Sequence, residues 1–211
     1  MLKTRIAVLV SGGGTNLQAL INAQKAGKLP DGEIALVVSN VDGAYALERA
    51  RQADIPAVVI TKASCGHDKK LFEQRLMETL AANRIELIVL AGFMYILGEN
   101  FTSAYEGRII NIHPSLIPAF CGKGYYGLKV HEAALAAGVK VTGATVHYVN
   151  HIPDGGRIIA QKAVKVGPRD TPVTLQKKVM EQAEWKLLPR AVQLVAHRLV
   201  MQKKRRGTKK S

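Results

Sequence analysis

The amino-acid sequence predicts an α/β fold: a Rossmann-like, mostly parallel twisted sheet with helices on both faces and antiparallel strands near its C-terminal end. Two observations favour this fold. Short apolar runs rich in β-branched residues alternate with longer amphipathic stretches through the first half of the chain. The runs are almost continuously apolar, which is typical of strands that helices cover on both faces of a parallel sheet.

The predicted strands of this half are the apolar runs at residues 5–10, 33–38, 57–60, 86–92 and 108–112. The predicted helices lie between them, at residues 16–27, 46–55 and 69–84. The last of these helices carries Phe72, Leu76 and Leu80 on one face. Right-handed crossovers bring the carboxyl ends of parallel strands to one edge of the sheet, so we expect ligands to bind at that edge.

The pattern changes beyond residue 140. Two strand-like runs, at residues 140–149 and 157–166, are joined by a segment that contains Pro-Asp-Gly-Gly, which predicts a pair of antiparallel strands. Residues 171–200 then predict one long helix, interrupted or bent near Pro189.

Composition and charge limit the classes of protein that fit. The chain has 211 residues, of which 47% are hydrophobic, enough for one domain with a substantial core. The net charge of +14 favours anionic ligands; segment 203–210 holds six basic residues and no acid, which leaves +8 elsewhere. We expect residues 1–200 to form a single domain and residues 201–211 to be a flexible basic tail. A tail that contacts RNA or a membrane is the alternative.

The cysteines and the N-terminal apolar run indicate the cellular compartment in which the protein is expected. Cys65 and Cys121 are too few for a disulfide framework in a chain of this length, which fits a reduced compartment. The run at residues 6–10 has only five residues, too few for a signal peptide or a membrane span. We therefore expect a soluble, cytoplasmic protein.

A glycine-rich segment, Ser-Gly-Gly-Gly-Thr-Asn at residues 11–16, follows the first predicted strand. Backbone N–H groups of such a turn, together with the N-terminus of the next helix, are suited to binding a phosphate. Leu17 stands where the dinucleotide fingerprint needs a glycine, and no Gly-Lys-Ser/Thr follows, so a single phosphate is predicted. Thr15 or Asn16 is expected to cap the helix. A tight turn without a ligand is the alternative.

An Asn-x-His-Pro sequence lies at the end of the fifth predicted strand. Asn111 and His113 are two residues apart in an extended chain and so point to the same side, while Pro114 ends the strand. This pair presents an amide donor and an ionisable imidazole to one reacting atom. A polar pair that only orders a loop is the alternative.

Asp154, in the turn between the last two strands, favours the catalytic interpretation. A carboxylate near an imidazole stabilises its charged form and fixes its tautomer, as a general acid and base requires. Thr145 and His147 share one face of the preceding strand by the period of two and are expected to line the same site, although a structural role for His147 remains open. No cysteine and histidine spacing indicates a metal site, and no Gly-x-Ser-x-Gly elbow indicates covalent serine chemistry.

Five motifs in order make the chain resemble the phosphoribosylglycinamide formyltransferases of purine biosynthesis, which depend on 10-formyltetrahydrofolate. They are VLVSGGGTNLQAL, VLAGFMYIL, NIHPSLIPAF, VTGATVHYV and DGGRIIAQ, and the resemblance extends to about residue 200. It implies the formyltransferase fold and the transfer of a formyl group from 10-formyltetrahydrofolate to glycinamide ribonucleotide. The products are N-formylglycinamide ribonucleotide and tetrahydrofolate, on the route to IMP.

The resemblance also implies roles for individual residues. It makes His113, Asn111 and Asp154 catalytic. Thr145 and His147 are supporting residues, and the Thr145 hydroxyl is expected to hold a water beside Asp154. The predicted binding residues are, for the ribonucleotide, Gly14, Thr15, Asn16 and Glu184, and for the folate, Lys69, Met94, Tyr95, Ile96, Leu97 and Asn111. Tyr95 stands where the family commonly has arginine, so its backbone is expected to make the contact. Lys123 and His131 lie in a segment longer than in some members.

The mechanism that the resemblance implies needs no metal and no covalent enzyme intermediate. The amine attacks the formyl carbon on N10 of the folate, and the Asn111 amide and protonated His113 hold the resulting oxyanion. Asp154, directly or through water, is expected to raise the pKa of His113 and to help carry a proton to N10. Two rivals are formylation of initiator methionyl-tRNA and a non-catalytic folate or nucleotide sensor. We expect small-molecule partners, a monomer or homodimer, and neither nucleic acid nor membrane.

Overall fold

A computed structural model describes residues 2–208 of the chain. They divide into two compact units, the first made of the residues up to Tyr95 and those from Pro189 onward, and the second of Ile96–Leu188. The sequence predicts a single domain over residues 1–200, whereas the chain returns to its first unit only at Pro189.

The first unit contains four parallel strands in the order β3-β2-β1-β4. Their bounds are β1 Thr4–Val10, β2 Gly32–Ser39, β3 Ala57–Val59 and β4 Leu87–Leu90. The helices between them are α1 Thr15–Lys25, α2 Tyr45–Gln52 and α3 Lys69–Ala82. Strands β1 and β4 are buried along almost their whole length, as the continuous apolar runs predict.

Helix α3 shows why these stretches form helices. The carboxylate of Asp68 accepts hydrogen bonds from the N–H groups of Lys70 and Leu71, which caps the first turn. Phe72, Leu76 and Leu80 are at most 1% exposed, so the predicted apolar face is the buried face.

The second unit contains three antiparallel strands in the order β5-β6-β7. Their bounds are β5 Ile109–His113, β6 Val141–Tyr148 and β7 Ile158–Lys165, and the helices of the unit are α4 Glu99–Ala104, α5 Leu128–Ala136 and α6 Pro172–Val179. The predicted fold class, with parallel strands first and antiparallel strands near the C-terminus, is confirmed. Helix α5 lies in a segment for which no helix was predicted.

The register of β5 against β6 brings distant residues together. Asn111 pairs with His147, and His113, the last residue of β5, pairs with Thr145. Side chains of directly opposed residues on antiparallel strands lie on the same face at close distance. The Asn-x-His sequence is therefore placed against the polar residues of β6.

The C-terminal helical region is interrupted, but not at Pro189 itself. Helix α6 ends at Val179, a π-helical segment follows at Met180–Glu184, and helix α7 runs over Trp185–Thr208 with Pro189 inside it. Pro189 has no N–H to donate to the carbonyl of Trp185, four residues earlier. The π-helical segment ends at Glu184, directly before that carbonyl.

Helix α7 continues past the predicted domain boundary at residue 200. Lys203 Nζ lies 2.6 Å from a carboxylate oxygen of Glu86 and 3.2 Å from the carbonyl oxygen of Lys3. The first part of the predicted tail is thus helical and attached to the first unit. Residues 209–211 lie outside the described residues.

Candidate active site

Asp154, itself half-buried, is the centre of a polar cluster in the second unit in which His113 and His147 are buried. Its carboxylate oxygens lie 3.5 Å from His113 Nδ1 and 3.5 Å from His147 Nε2. Asn111 Nδ2 is 3.4 Å from Asp154 Oδ1, and the Gly122 N–H donates to Oδ2 at 2.8 Å. The structure therefore brings the three predicted catalytic residues and His147 together around one carboxylate.

The backbone of the Asp154 turn shapes this cluster. Asp154 has φ of 54°, in the left-handed region that aspartate tolerates better than most residues. Two residues later, a Cβ at Gly156 would collide with the carbonyl of Tyr148, so only glycine fits there. The Asp-Gly-Gly sequence thus serves a tight return of the chain that places the carboxylate beside β5.

The tautomer of His113 follows from its contacts. His113 Nε2 lies 2.8 Å from the carbonyl oxygen of Phe120, which can only accept, so Nε2 carries a hydrogen. In the neutral ring the lone pair is then on Nδ1, which faces Asp154. Nδ1 is the atom that can exchange a proton with a substrate.

His147 orients the Asn111 amide. His147 Nδ1 lies 2.8 Å from the carbonyl oxygen of Tyr148, so Nδ1 carries the hydrogen and Nε2 accepts. Asn111 Nδ2 donates to this Nε2 at 3.2 Å. The amide nitrogen therefore points into the cluster, and its second hydrogen makes only the long contact to Asp154.

The protonation states of the cluster follow from burial and charge. Burial lowers the pKa of His113; the Asp154 charge and the Phe120 carbonyl oppose this effect without overcoming it, and a positive charge on His147, when that ring is protonated, adds to it. Burial alone would raise the pKa of Asp154, but His147, His113 and the Gly122 N–H together hold it below its ordinary value. Asp154 raises the pKa of His113, as predicted, but the larger effect of burial makes the net shift downward. The pair is a neutral imidazole beside a carboxylate.

Thr145 has a different role from the predicted one. Its hydroxyl donates to the Ser115 carbonyl at 2.7 Å and accepts from the Ile117 N–H and the Gln161 amide at 3.1 and 3.0 Å. The side chain is fully buried. Because these three bonds use the hydroxyl completely, Thr145 holds the 115–117 backbone in place instead of a water beside Asp154.

The glycine-rich segment in the first unit forms the turn into α1. The N-cap residue of α1 is Gly14, with φ of 70°, and a glycine has no side chain to cap the helix. The expected capping by Thr15 or Asn16 is therefore wrong. Thr15 and Asn16 are the first two helical residues. The Arg49 guanidinium donates from Nε to the Gly13 carbonyl at 2.8 Å, adding a positive charge to the positive end of α1.

Gly13 and Gly14 provide a matched test of the phosphate-binding prediction. A Cβ at Gly14 would lie 2.6 Å from the Ala46 Cβ, whereas a Cβ at Gly13 meets nothing within 4 Å. We expect Gly13→Ala to leave the melting temperature unchanged while raising the KM for the ribonucleotide, because the new methyl group projects into open space at the turn. Gly14→Ala is expected to cost about 1 to 3 kcal/mol of stability, through the left-handed φ and the collision. Thermal melts and initial rates measure both, and an unchanged ribonucleotide KM in Gly13→Ala would contradict the phosphate site.

The side chains of the predicted folate-binding residues in the first unit differ in exposure. Met94 is 54% exposed, whereas Tyr95 is 9% exposed and stacks on Phe72 at 4.3 Å between ring centroids. Burial, followed by the charge of Glu73, raises the pKa of Tyr95 to about 12. Lys69 Nζ lies 3.8 Å from Glu73 and 6.0 Å from the Tyr95 ring centroid. Tyr95 can therefore offer its backbone, but its side chain belongs to the core.

The remaining predicted residues lie in the second unit. Ile96 is 59% exposed and Leu97 is buried. Glu184 is the last residue of the π-helical segment and is buried. Lys123 is exposed in the loop before α5. Three residues that contribute to the geometry were missed. Phe120 and Gly122 act through their backbone, which leaves no sequence signal, and Arg49 lies within α2, away from the predicted motifs. Ser11 was predicted only as part of the glycine-rich segment.

His131 on α5 is fully buried, and neither ring nitrogen has a hydrogen-bond partner among the described residues. Burial, aided by the charge of His113, lowers the pKa of His131 from 6.5 to about 4. The unfolded chain therefore binds a proton between these two pH values that the folded chain does not, so stability falls as pH drops through this window.

We expect the free energy of unfolding to fall by about 1 to 3 kcal/mol from this residue between neutral pH and pH about 4. His131→Leu removes the titrating group and should flatten that slope in urea unfolding measured at several pH values. His151→Leu is the control, since His151 is exposed and should keep the wild-type slope. An unchanged slope in His131→Leu would contradict the neutral buried state.

Neither a metal-binding cluster nor a membrane-spanning helix is present in residues 2–208. No group of three or more histidine, cysteine, aspartate or glutamate side chains there is arranged to hold a metal ion. No helix in the same range is long and apolar enough to cross a membrane.

The sequence profile of the formyl transferase family matches residues 4–192, nearly the whole chain. This range contains both the glycine-rich turn and the Asn111, His113 and Asp154 cluster. The chain belongs to the formyl transferase family.

Individual relatives narrow this assignment. The crystal structure of glycinamide ribonucleotide transformylase 1 from Symbiobacterium toebii is 40% identical, with a TM-score of 0.86 over 92% of this chain and 88% of that one. Phosphoribosylglycinamide formyltransferase from Haemophilus influenzae is 40% identical over 88% of this chain and 84% of its own length. Within the family, the chain belongs to the phosphoribosylglycinamide formyltransferases, and the resemblance seen in the motifs is confirmed.

Other relatives are much longer proteins. The chicken trifunctional purine biosynthetic protein adenosine-3 is 46% identical over 92% of this chain, which spans only 18% of that protein.

Proposed function

We propose that this protein transfers the formyl group of 10-formyltetrahydrofolate to the amino group of glycinamide ribonucleotide, giving N-formylglycinamide ribonucleotide and tetrahydrofolate. The observation that carries the proposal is the polar cluster in which Asn111, His113 and His147 surround the Asp154 carboxylate. This set of groups supplies an amide donor and a proton-exchanging imidazole at one point.

His113 acts as base and then as acid in this proposal. Its lowered pKa leaves Nδ1 unprotonated near neutral pH, so Nδ1 can take a proton from the amine as that nitrogen attacks the formyl carbon. The imidazolium that forms is stabilised by Asp154, 3.5 Å from Nδ1. The same proton is then available to N10 of the departing folate, so no net proton remains on the enzyme.

Asn111 stabilises the negative charge that develops on the formyl oxygen. One hydrogen of its amide is held by His147 at 3.2 Å, and the other makes only the 3.4 Å contact with Asp154. A developing oxyanion that displaces this long contact would receive a shorter and stronger hydrogen bond.

The binding roles are assigned residue by residue. The turn at Gly14, Thr15 and Asn16, with the Arg49 charge nearby, takes the phosphate of the ribonucleotide, and Glu184 takes its ribose. Met94, Tyr95, Ile96 and Leu97 hold the folate, with Lys69 supplying charge and Tyr95 contributing its backbone only. We propose a cytoplasmic monomer or homodimer; its unpaired Cys65 and Cys121 support a reducing compartment.

The test is a spectroscopic assay with purified protein, 10-formyltetrahydrofolate and glycinamide ribonucleotide. We expect folate product to appear only when the ribonucleotide is present, with equimolar formylated ribonucleotide detected by mass spectrometry. Formate release without the ribonucleotide would indicate a hydrolase instead. Turnover only with charged initiator tRNA would indicate the tRNA formyltransferase activity, and binding of both ligands without turnover would indicate a sensor.

A further inference from the structure

Ser11 connects the ends of three neighbouring strands of the first unit. It follows β1 directly; its hydroxyl donates to Asn40 Oδ1, after β2, at 2.6 Å. The same hydroxyl oxygen accepts from the Met94 N–H, beyond β4, at 2.6 Å. In the strand order β3-β2-β1-β4, these three positions are adjacent at the carboxyl edge.

The two bonds have a defined direction. A backbone N–H can only donate, so the Ser11 oxygen accepts from Met94, and its single hydrogen is left for the Asn40 carbonyl oxygen. Asn40 thus fixes the rotation of the hydroxyl, and the lone pairs of that hydroxyl are aimed at Met94.

Ser11 holds a segment that the sheet itself no longer holds. The last ladder bond between β1 and the chain after β4 runs from the Ala91 N–H to the Leu9 carbonyl at 2.9 Å. Three residues further, where the chain has no regular secondary structure, the Met94 N–H is bonded to a side chain instead. The Met94 side chain is 54% exposed, so its backbone is the anchored part.

Ser11 is also the first residue of the glycine-rich turn. The next residue, Gly12, accepts from the Ala46 N–H at 3.0 Å, which attaches the turn to α2. One hydroxyl therefore lies between the turn assigned to the phosphate and the backbone assigned to the folate.

We propose that Ser11 is a positioning residue that sets the Met94 backbone for the folate and couples folate binding to occupancy of the glycine-rich turn. The inference rests on the proposed function for the identity of the two ligands. Ordering of the turn by a bound phosphate fixes Ser11, and a fixed Ser11 holds Met94 in place, so each ligand lowers the ordering cost of the other. Such coupling is reciprocal.

The test compares Ser11→Ala with Ser11→Thr, which keeps the hydroxyl, and with Ser103→Ala, an exposed serine in the second unit, as the control. In Ser11→Ala we expect the folate KM to rise about 3- to 10-fold, the effect of one neutral hydrogen bond, with kcat changed much less. The ratio of folate-analogue Kd values measured with and without ribonucleotide should move to one. Ser11→Thr should restore both quantities, and Ser103→Ala should match the wild type.

A second readout does not depend on the ligands. Hydrogen exchange of the Met94 amide should be faster in Ser11→Ala and close to wild type in Ser11→Thr, since the amide loses its partner only in the first. If the wild type transfers no formyl group, the proposed function fails while this measurement still tests the Ser11 contact. Unchanged Met94 exchange and unchanged folate KM would overturn the inference. So would equal losses in both substrate affinities together with a lower melting temperature.

Discussion

Replacing His113 with alanine is expected to lower kcat by about 100- to 10,000-fold, because the site loses the atom that takes and returns the proton. The KM values should change little, since no binding role is assigned to the imidazole. Initial rates over both substrates, with a melting curve to show that the fold persists, measure the effect.

His151→Ala provides the control for this prediction. His151 lies in the same connection as Asp154, but its side chain is exposed. We expect its kcat to equal that of the wild type. Near-normal turnover in His113→Ala would contradict the assigned role. If that variant does not fold, His113→Asn keeps a polar side chain at the position and should show the same loss.

The second large effect is expected for Asp154→Asn, which keeps the size of the side chain and tolerates the left-handed backbone at this position. Its kcat should fall by about 100-fold or more, because the imidazolium that forms during transfer loses its counter-charge. The sign of the pKa change is also defined. Asp154 raises the pKa of His113 against the larger effect of burial, so removing the charge should lower that pKa further.

NMR titration of the His113 imidazole in the wild type and in Asp154→Asn tests this sign. The His113 midpoint should move to lower pH in the variant. A His113 midpoint that moved to higher pH would contradict the stabilising contact, whatever the loss in rate.

Local patterns in the sequence were enough to predict the fold class, and they pointed to residues that the structure brings together in one cluster. The predicted runs correspond to β1 to β7, with ends within about two residues of the predictions, because short apolar or alternating runs bounded by turn residues are typical of strands. The glycine-rich turn, the Asn-x-His pair and the Asp-Gly-Gly turn are each formed by neighbouring residues, and so they are visible in sequence. Helices α4 and α5, of six and nine residues, were missed, since each is too short to show a clear helical period.

The tertiary structure decided which atoms of those residues are available for proton transfer and hydrogen bonding. The Phe120 carbonyl assigns the hydrogen of His113 to Nε2, and the pairing of β5 with β6 puts His147 against Asn111. Burial turns the net pKa shift of His113 downward, and contacts with Ser115 and Ile117 use up the Thr145 hydroxyl.

Features visible in the sequence differ from features set by the tertiary structure for one physical reason. Secondary structure and turn chemistry depend on residues close in sequence, so the chain by itself determined an α/β formyltransferase with its glycine-rich turn and its Asn111, His113 and Asp154. Tautomers, pKa shifts and the Ser11 contacts depend on partners tens of residues away and on the exclusion of water. Only the folded chain brings those partners within hydrogen-bonding distance.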